Sequence, residues 1–251
     1  MADSLRLNRF LAQAGVGSRR RCDELIRSGR VQVNGVATSE LGTKVDPSRD
    51  EVSLDGARLA APSAQWTLAL NKPVDVLVAA RDGRGRRTVT DLLDGAPGRV
   101  FPVGRLDYKS EGLLLLTSDG ELAFRLAHPR FKVAKTYHVE VPGPVSDDVL
   151  GALRRGVMLD DGPTLPARVG IVRRGRSVTL LEIELREGRK RQIRRMLALF
   201  GLEVARLTRV RFGPVELGSL EPGRWRPLTD AELGALRKAA ALEPSGGEGA
   251  A

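Results

Sequence analysis

The spacing of apolar residues predicts that the first 60 positions begin with two helices. Apolar positions three and four residues apart indicate a helix from Leu7 to Ala14, and Gly15 can end it. Ser18 is a suitable N-cap for a second helix, because its side chain can accept a hydrogen bond from a free backbone N–H. Gly29 can end that second helix in turn.

Alternating valines follow the two helices and predict a hairpin over Val31–Thr38. Its turn residues are Asn34 and Gly35, which both tolerate the positive φ angles of a type I′ turn. A further strand is predicted over Glu51–Leu54, before a turn at Asp55-Gly56. Two helices followed by short strands indicate a small α+β unit.

The chain beyond Ala60–Ala64, which we interpret as a linker, is richer in strands. We place the domain boundary at residues 62/63 and a disordered tail at residues 241–251, so that a second domain covers residues 63–240. The predicted strands of this domain are Trp66–Asn71, Arg99–Val103, Gly112–Thr117, Val133–Val141, Val178–Leu185 and Val204–Val210. Its predicted helices are Thr88–Leu93, Gly120–Leu126, Ser146–Arg155, Arg189–Phe200 and Thr229–Ala240.

Composition limits which classes of partner, disulfide and metal site are possible. The 251 residues include 41 Lys and Arg against 31 Asp and Glu, which gives a formal net charge of +10 and favours a polyanionic partner. No apolar run approaches the roughly 20 residues needed to span a bilayer. Cys22 is the only cysteine and there are two histidines, so an intrachain disulfide and a Cys-rich zinc site are excluded, and a His-based metal centre is disfavoured.

Positive charge is concentrated in the first 30 residues, which contain seven arginines and three acidic residues. Arg19 and Arg20 fall in the first turn of the predicted second helix, where the helix dipole disfavours cations. A bound phosphate would relieve that conflict, because backbone N–H groups and guanidinium groups could both contact it. A solvated helix face explains the charge equally well, so composition alone leaves both interpretations open.

Two segments of the second domain carry candidate chemistry. Arg105 and Asp107 lie in a polar loop between two apolar strands, where a carboxylate can act as a nucleophile or a general base. The commoner role of such an aspartate is to stabilise a turn. On the strand Val133–Val141, alternation places Tyr137 on the side of the valines, which predicts an inward-facing ring, and His138 on the exposed side.

A third segment is strongly cationic and opens the predicted helix Arg189–Phe200. Six basic residues and the single acid Glu187 occur between Arg186 and Arg195. Ile193 and Leu197 belong to the apolar face of this helix. Cations in the first half of a helix again oppose its dipole, so an anion bound there would be stabilising.

The first of two resemblances concerns residues 5–58. The stretches LNRFLAQAGVGSRR and LIRSGRVQVNG, with helix, turn and hairpin in this order, resemble the S4 RNA-binding domain. This resemblance implies that the two helices contact structured RNA. The arginines that it marks as RNA-binding candidates are Arg6, Arg9, Arg19 and Arg20.

The second resemblance covers most of the remaining chain. GRLD at 104–107 with GLLLLTSDG at 112–120, KTY at 135–137 and EGRKRQIRRM at 187–196 resemble the bacterial rRNA pseudouridine synthases that carry an N-terminal S4 domain. The closest resemblance is to the large-subunit pseudouridine synthase B group. It implies an α+β protein, with an S4 domain over 1–62 and a catalytic domain over 63–240 that is built on a mixed, mainly antiparallel central sheet with flanking helices. Lys109-Ser110-Glu111 departs from the family pattern, in which uncharged residues surround a Thr.

The same resemblance assigns roles to individual residues. Asp107 matches the catalytic carboxylate, and Arg194 matches an arginine expected to form an ion pair with it. Tyr137 matches the ring that stacks on the flipped uracil, and Ile193 and Leu197 are candidates for the apolar wall of the base pocket. The candidates for phosphate binding in this domain are Arg105, Lys135, Arg189 and Arg191.

The implied reaction converts a uridine of ribosomal RNA, most closely 23S rRNA, into pseudouridine without a metal or another cofactor. The expected partner is a structured rRNA stem-loop, and we expect a cytoplasmic monomer that does not bind membranes. Two alternatives stay open, a 16S rRNA target and a non-catalytic S4 protein that binds RNA or assists ribosome assembly. Whether the carboxylate adds to the base, attacks the ribose or removes a ribose proton also stays open. A DNA-binding protein would be supported by charge alone.

Overall fold

The computed structural model describes residues 4–60, 65–80 and 82–242. Contacts divide the chain into two compact units, with the division between Gln65 and Trp66. The predicted linker beyond Ala60 and the predicted boundary at 62/63 lie outside the described residues, as does the predicted tail from residue 243 onward. The domain limits therefore stay a prediction.

The small unit has the predicted order of helices and hairpin. Its helices are α1 (Leu7–Gln13) and α2 (Arg19–Arg27), and its strands are β1 (Leu5–Arg6), β2 (Val31–Val33), β3 (Val36–Thr38), β4 (Lys44–Val45), β5 (Val52–Leu54) and β6 (Ala57–Arg58). Asn34 and Gly35 connect β2 to β3 with φ angles of 52° and 78°, as a type I′ turn requires. The Ser18 side chain caps α2 by accepting a hydrogen bond from the Arg21 N–H.

The core of the small unit lies between its helices and its strands. Leu11 from α1, Ile26 from α2 and Val31 from β2 are fully buried in it, together with Cys22. Cys22 therefore belongs to the apolar face of α2, as predicted. Strand order in the four-stranded sheet is β3-β2-β5-β6, and β1 pairs with β4 separately.

The large unit contains the remaining elements. Its strands are β7 (Thr67–Lys72), β8 (Phe101–Pro102), β9 (Glu111–Thr117), β10 (Lys135–Pro142), β11 (Met158–Leu159), β12 (Gly162–Pro163), β13 (Arg168–Arg173), β14 (Val178–Leu185), β15 (Arg206–Phe212), β16 (Val215–Glu216) and β17 (Trp225–Pro227). Its α-helices are α3 (Gly120–Ala127), α4 (Asp147–Arg155), α5 (Gln192–Ala198) and α6 (Asp230–Ala239). Two 3₁₀ turns lie at Val89–Leu92 and Pro129–Phe131.

Nine of these strands form one mixed, mainly antiparallel sheet. Its main path is β13-β14-β10-β15-β9-β7-β17, with β16 on β15 and β8 on β9. The β9–β15 pair is parallel and pairs Gly112 with Arg209. A Cβ on Gly112, whose φ is +97°, would lie 2.4 Å from the Arg209 carbonyl oxygen, so this approach requires glycine. The predicted fold class is confirmed.

Helices cover the sheet and divide its apolar residues into clusters. α4 and α5 pack on a cluster that includes Val139, Ile183 and Leu207, and α3 and α6 pack on a second one around Leu113 and Phe212. A third cluster, which we call the loop-side cluster, contains Leu68, Leu70, Val76, Val89, Leu92, Val100, Leu106, Leu114 and Leu116. No helix among the described residues is long and apolar enough to cross a membrane.

Three predicted elements of the large unit differ most from the structure, and one of them, the helix predicted over Thr88–Leu93, is only the 3₁₀ turn Val89–Leu92. The strand predicted over Arg99–Val103 is reduced to Phe101–Pro102, and the helix predicted from Arg189 begins only at Gln192. Arg191 has a left-handed backbone with φ of 52°, which a helix cannot continue through, so Arg189 and Arg191 precede α5. The strand β13 was missed, because Arg168, Arg173 and Gly170 obscure its apolar alternation.

Candidate active site

Asp107 lies in the loop that connects β8 to β9. Val103 donates its backbone N–H to Leu115 O at 2.8 Å, and Gly104 then turns the chain with a φ of 70°. Leu106 is buried in the loop-side cluster and anchors the loop, so the next side chain, Asp107, lies half-buried at its surface. Among the described residues, none donates a hydrogen bond to the Asp107 carboxylate. Leu106 thus fixes the backbone at Asp107, while both carboxylate oxygens are without hydrogen-bond donors in the described chain.

Lys72, at the end of β7, is a buried cation beside this loop. Its side chain is 0 % exposed, and its Nζ donates to Ser110 O at 2.7 Å and to Pro73 O at 2.9 Å. Burial lowers the pKa of Lys72 to about 8. The shift is opposed by three carboxylates, those of Asp75, Asp107 and Glu111. Lys72 thus fastens the end of the loop and contributes positive charge to the surroundings of Asp107.

Arg194 reaches the same loop from α5, but not through the predicted ion pair. Its two terminal nitrogens donate to Val204 O at 2.8 Å and to Lys109 O at 3.2 Å, and within the described chain no N···O distance of 4.0 Å or less joins it to Asp107. Burial lowers the pKa of Arg194 and the neighbouring Arg191 contributes, while the charge of Asp107 opposes the shift. The expectation of a direct ion pair was wrong, because backbone carbonyls take the guanidinium donors.

Tyr137 is the residue that connects the apolar clusters. Its half-buried side chain on β10 packs against both the α4–α5 cluster and the loop-side cluster that contains Leu106. The prediction that the ring faces inward with the valines agrees with this packing. Ile193 and Leu197 belong to the α4–α5 cluster too, but Leu197 is 0 % exposed. Leu197 therefore supports the cluster from within, and the expectation that it lines a pocket wall was wrong.

Two of the predicted phosphate-binding residues are instead used inside the protein. Lys135 donates to Val133 O at 2.9 Å and lies 5.0 Å from the centre of the Phe212 ring. Burial lowers its pKa to about 8, with a smaller contribution from the charge of Arg209. The Arg189 guanidinium donates to Gly162 O, to Pro163 O and to the Asp161 and Glu187 carboxylates. Both cations thus have partners within the protein, and their contacts with phosphate stay a prediction.

The other predicted RNA-binding residues are more accessible. Arg105 and Arg191 are exposed, and their guanidinium groups contact no hydrogen-bond or ion-pair partner within the described chain. In the small unit, Arg19 and Arg20 are exposed in the same way, Arg9 is half-buried, and Arg6 donates to Leu41 O at 3.1 Å.

Sequence reasoning assigned no role to the residues that fasten the loop. Asp75 donates its backbone N–H to Tyr108 O at 2.9 Å, and its carboxylate pairs with Lys109 Nζ at 2.8 Å. Lys109, the departure from the family pattern, is thus part of an internal contact. Lys72 directly follows the predicted strand Trp66–Asn71, a position that by itself indicates no partner. The described residues contain no group of three or more acidic, His or Cys side chains placed to hold a metal ion.

Comparison with known proteins accounts for both units. The sequence matches the RNA pseudouridylate synthase family over residues 67–199 and the S4 domain over residues 5–52. It is 47 % identical to an uncharacterized RNA pseudouridine synthase of Aquifex aeolicus, over 95 % of this chain and 96 % of the relative. It is 41 % identical to the ribosomal large subunit pseudouridine synthase B of Bacillus subtilis, over 92 % of this chain and 95 % of the relative.

The structural comparison agrees. A crystal structure of a pseudouridylate synthase aligns with a TM-score of 0.67 and 31 % identity, over 93 % of this chain and 100 % of that one. The chain belongs to the RNA pseudouridylate synthase family, and it is an isomerase with an N-terminal S4 domain.

Proposed function

We propose that this pseudouridine synthase modifies a uridine in ribosomal RNA of the large subunit, 23S rRNA. The observation that carries the proposal is the likeness to the Bacillus subtilis large-subunit enzyme at 41 % identity, which extends through both units. The relative of Pseudomonas aeruginosa with the same printed name is also 41 % identical, over 95 % of this chain. Because the proposed substrate is bacterial ribosomal RNA, we place the reaction in the cytoplasm.

We propose Asp107 as the catalytic carboxylate. The reaction breaks the bond from N1 of uracil to C1′ of ribose, turns the base and joins C5 to C1′, so no atom enters or leaves apart from the exchange of a proton. Addition to the base, attack on the ribose and removal of a ribose proton all need an ionised carboxylate at the sugar. In support, the half-buried Asp107 carboxylate accepts no hydrogen bond from the described residues, and it lies near the cations Lys72 and Arg194.

We propose that Tyr137 stacks on the uracil once the nucleotide leaves its helix. A base that leaves its helix loses its stacking contacts, and stacking on an aromatic ring, which contributes roughly 1–3 kcal/mol, can replace them. Support comes from the position of Tyr137, which is half-buried and packed against the same cluster as Leu106, the residue before Asp107. Exposed cations remain proposed phosphate contacts, namely Arg19 and Arg20 in the small unit and Arg105 and Arg191 in the large unit.

The decisive experiment incubates the protein with unmodified 23S and 16S rRNA, each protein-free and within partly assembled ribosomal subunits. Chemical mapping then locates the pseudouridine. We expect modification in 23S rRNA only, and none with the isosteric variant Asp107→Asn. Modification confined to 16S rRNA would replace the target, and binding without modification of either RNA would favour an assembly factor.

The same assay tests the two proposed roles. Asp107→Asn should lower the rate of isomerisation by at least about 1,000-fold, because the nucleophile or base is lost, while RNA affinity changes little. Tyr137→Phe keeps the ring and should retain more activity than Tyr137→Ala. Near-normal turnover of Asp107→Asn, or equal losses in the two Tyr137 variants, would contradict the respective role.

A further inference from the structure

A short cationic loop lies between Leu77 and Thr88 in the large unit. We define the arginine loop as residues 82–87, Asp-Gly-Arg-Gly-Arg-Arg. All of its residues from Gly83 to Arg87 are exposed. The arginines of this loop are not among the active-site residues described above.

The arginine loop is held in one conformation by Asp82. The Asp82 carboxylate accepts hydrogen bonds from the backbone N–H groups of Arg84 at 3.1 Å and Arg86 at 3.0 Å. The Arg86 guanidinium binds the same carboxylate, at 2.9 Å and 3.1 Å. Backbone hydrogen bonds from Leu77 N–H to Arg87 O and from Val89 N–H to Leu77 O close the base of the loop. A loop that is already ordered loses little conformational entropy when it binds a ligand.

Two of the three arginines keep their guanidinium groups available. Arg86 is used to fasten the loop, whereas the guanidinium groups of Arg84 and Arg87 have no hydrogen-bond or ion-pair partner in the part of the chain that the structure describes. Two exposed guanidinium groups on an ordered loop match the geometry of phosphate oxygens, which they can bind through paired N–H donors.

The loop starts next to the segment that carries Asp107. Asp75 is hydrogen-bonded to Tyr108 O and paired with Lys109, both in the Asp107 loop. Leu77, only two residues after Asp75, is hydrogen-bonded to Arg87 O at 2.9 Å. Two residues span at most about 7 Å, so the base of the arginine loop lies close to Tyr108.

We infer that Arg84 and Arg87 bind backbone phosphates of the RNA strand that flanks the target uridine. The inference rests on the proposed function, because an RNA strand with its target uridine at Asp107 would lie beside the base of this loop. A nucleotide that is turned out of its helix needs its neighbouring phosphates held in register, and contacts to phosphates supply that register without reading sequence. Asp82 is a positioning residue that keeps the two guanidinium groups presented.

The test compares two double variants that remove the same charge. Arg84→Ala/Arg87→Ala alters the loop, and Arg173→Ala/Arg176→Ala is the matched control, since both of these arginines are exposed near the β13–β14 turn and have no ionic partner among the described residues. The half-saturation concentration for a target RNA fragment is measured between 50 and 300 mM salt by filter binding. The rate of modification is then measured at saturating enzyme in a single turnover.

We expect the loop variant to raise the half-saturation concentration by about tenfold at 100 mM salt and to reduce the salt slope by about 1.4, the value for two lost single-strand phosphate contacts. The saturated rate should stay within about twofold of wild type, because neither arginine touches the reacting atoms. The control variant should change either quantity by less than about twofold.

The variant Asp82→Ala tests whether the conformation of the arginine loop matters for RNA binding, apart from its net charge. It removes a negative charge, so attraction alone would tighten RNA binding, whereas loss of the loop conformation should weaken binding by about threefold. Tighter binding would contradict the role of Asp82, and equal losses in the loop and control variants would overturn the assignment of Arg84 and Arg87. The binding measurement does not depend on turnover. If the wild type formed no pseudouridine, the proposed function would be contradicted, but the binding of the loop and control variants would still test the role of Arg84 and Arg87.

Discussion

The helices α2 and α5 both begin beside a run of arginines, but they use those arginines differently. In α2, Ser18 caps the helix, and Arg19 and Arg20 are exposed without an internal partner among the described residues. Arg21 pairs with Glu24, one helical turn further on. The cations at this helix start therefore remain available to an external anion.

At α5 most of the arginine side chains form ion pairs or hydrogen bonds within the large unit. Arg189 and Arg195 both contact Asp161, which lies 28 and 34 residues earlier in the chain, and Arg189 also binds Glu187. Arg194 is bound to two backbone carbonyls. The comparison teaches that the density of charge in a segment does not reveal how much of it is free, because the partners come from distant parts of the chain.

The largest effect that would sharpen this comparison is expected at Arg194, the α5 arginine turned toward the Asp107 loop. Arg194→Met removes a charge and two donors near Asp107, and we expect the single-turnover rate to fall by about 100-fold. Arg194→Lys should restore part of the rate, since it keeps the charge without the planar donor group. The neighbouring Arg195→Met is the control and should lose less than about threefold. A normal rate for Arg194→Met would remove Arg194 from the site.

The second effect concerns stability. Arg189→Ala removes one of the donors to the buried Glu187 carboxylate and the donors that Arg189 gives to the carbonyls of Gly162 and Pro163, so we expect a loss of about 2–3 kcal/mol in the free energy of unfolding by urea. Arg191→Ala, two residues away and exposed, should change stability by less than about 0.5 kcal/mol. The difference between the two variants is the measured quantity. If both lost the same stability, the division between internal and free cations at α5 would be wrong.

The third effect is on RNA affinity in the small unit. Arg19→Ala/Arg20→Ala should weaken binding of the RNA substrate by about tenfold at moderate salt and lower the salt slope, while thermal stability is unchanged. Removing cations from the first turn of α2 even relieves an unfavourable interaction with the helix dipole. Equal affinity of variant and wild type across the salt series would assign these arginines to a merely solvated surface.

The smallest effect is a pH dependence that belongs to α5 alone. Hydrogen bonds from Arg195 hold the pKa of Asp161 at about 2, below its ordinary value of 3.8. The carboxylate therefore stabilises the fold at pH values above 3.8, and this contribution is lost as the pH falls through 3.8 toward 2. The melting temperature of wild type should drop more over this interval than that of Asp161→Asn. Parallel pH profiles would show that the contact contributes nothing to stability.

Local patterns predicted the elements wherever the local signal was strong. The capping of α2, the Asn34-Gly35 turn and the apolar strand β9 all appear as expected, because each depends on residues within one turn or one strand. The start of α5 was misplaced by three residues. The cause is Arg191, whose left-handed backbone has no sequence signal comparable to that of glycine.

The candidate site was predicted less completely than the fold. The roles of Asp107 and Tyr137 come from the family resemblance and stay predictions, while the inward-facing ring of Tyr137 follows from its alternation with the valines. The role of Lys72 could not be predicted, because its donors bind the carbonyls of Ser110 and Pro73, and a carbonyl gives no signal in a sequence. The partners of Arg194 were missed for the same reason. A carboxylate was expected, but the guanidinium donates to the backbone carbonyls of Val204 and Lys109.

The amino-acid sequence by itself determined the α+β class and the order of the two units, and it supplied the candidate residues for the reaction. These depend on side-chain periodicity, turn residues and motif order, which are local properties of the chain. The tertiary structure alone decided which cations are free. A guanidinium group is satisfied by whichever oxygen the packed chain brings within about 3 Å, and that oxygen can lie anywhere along the sequence.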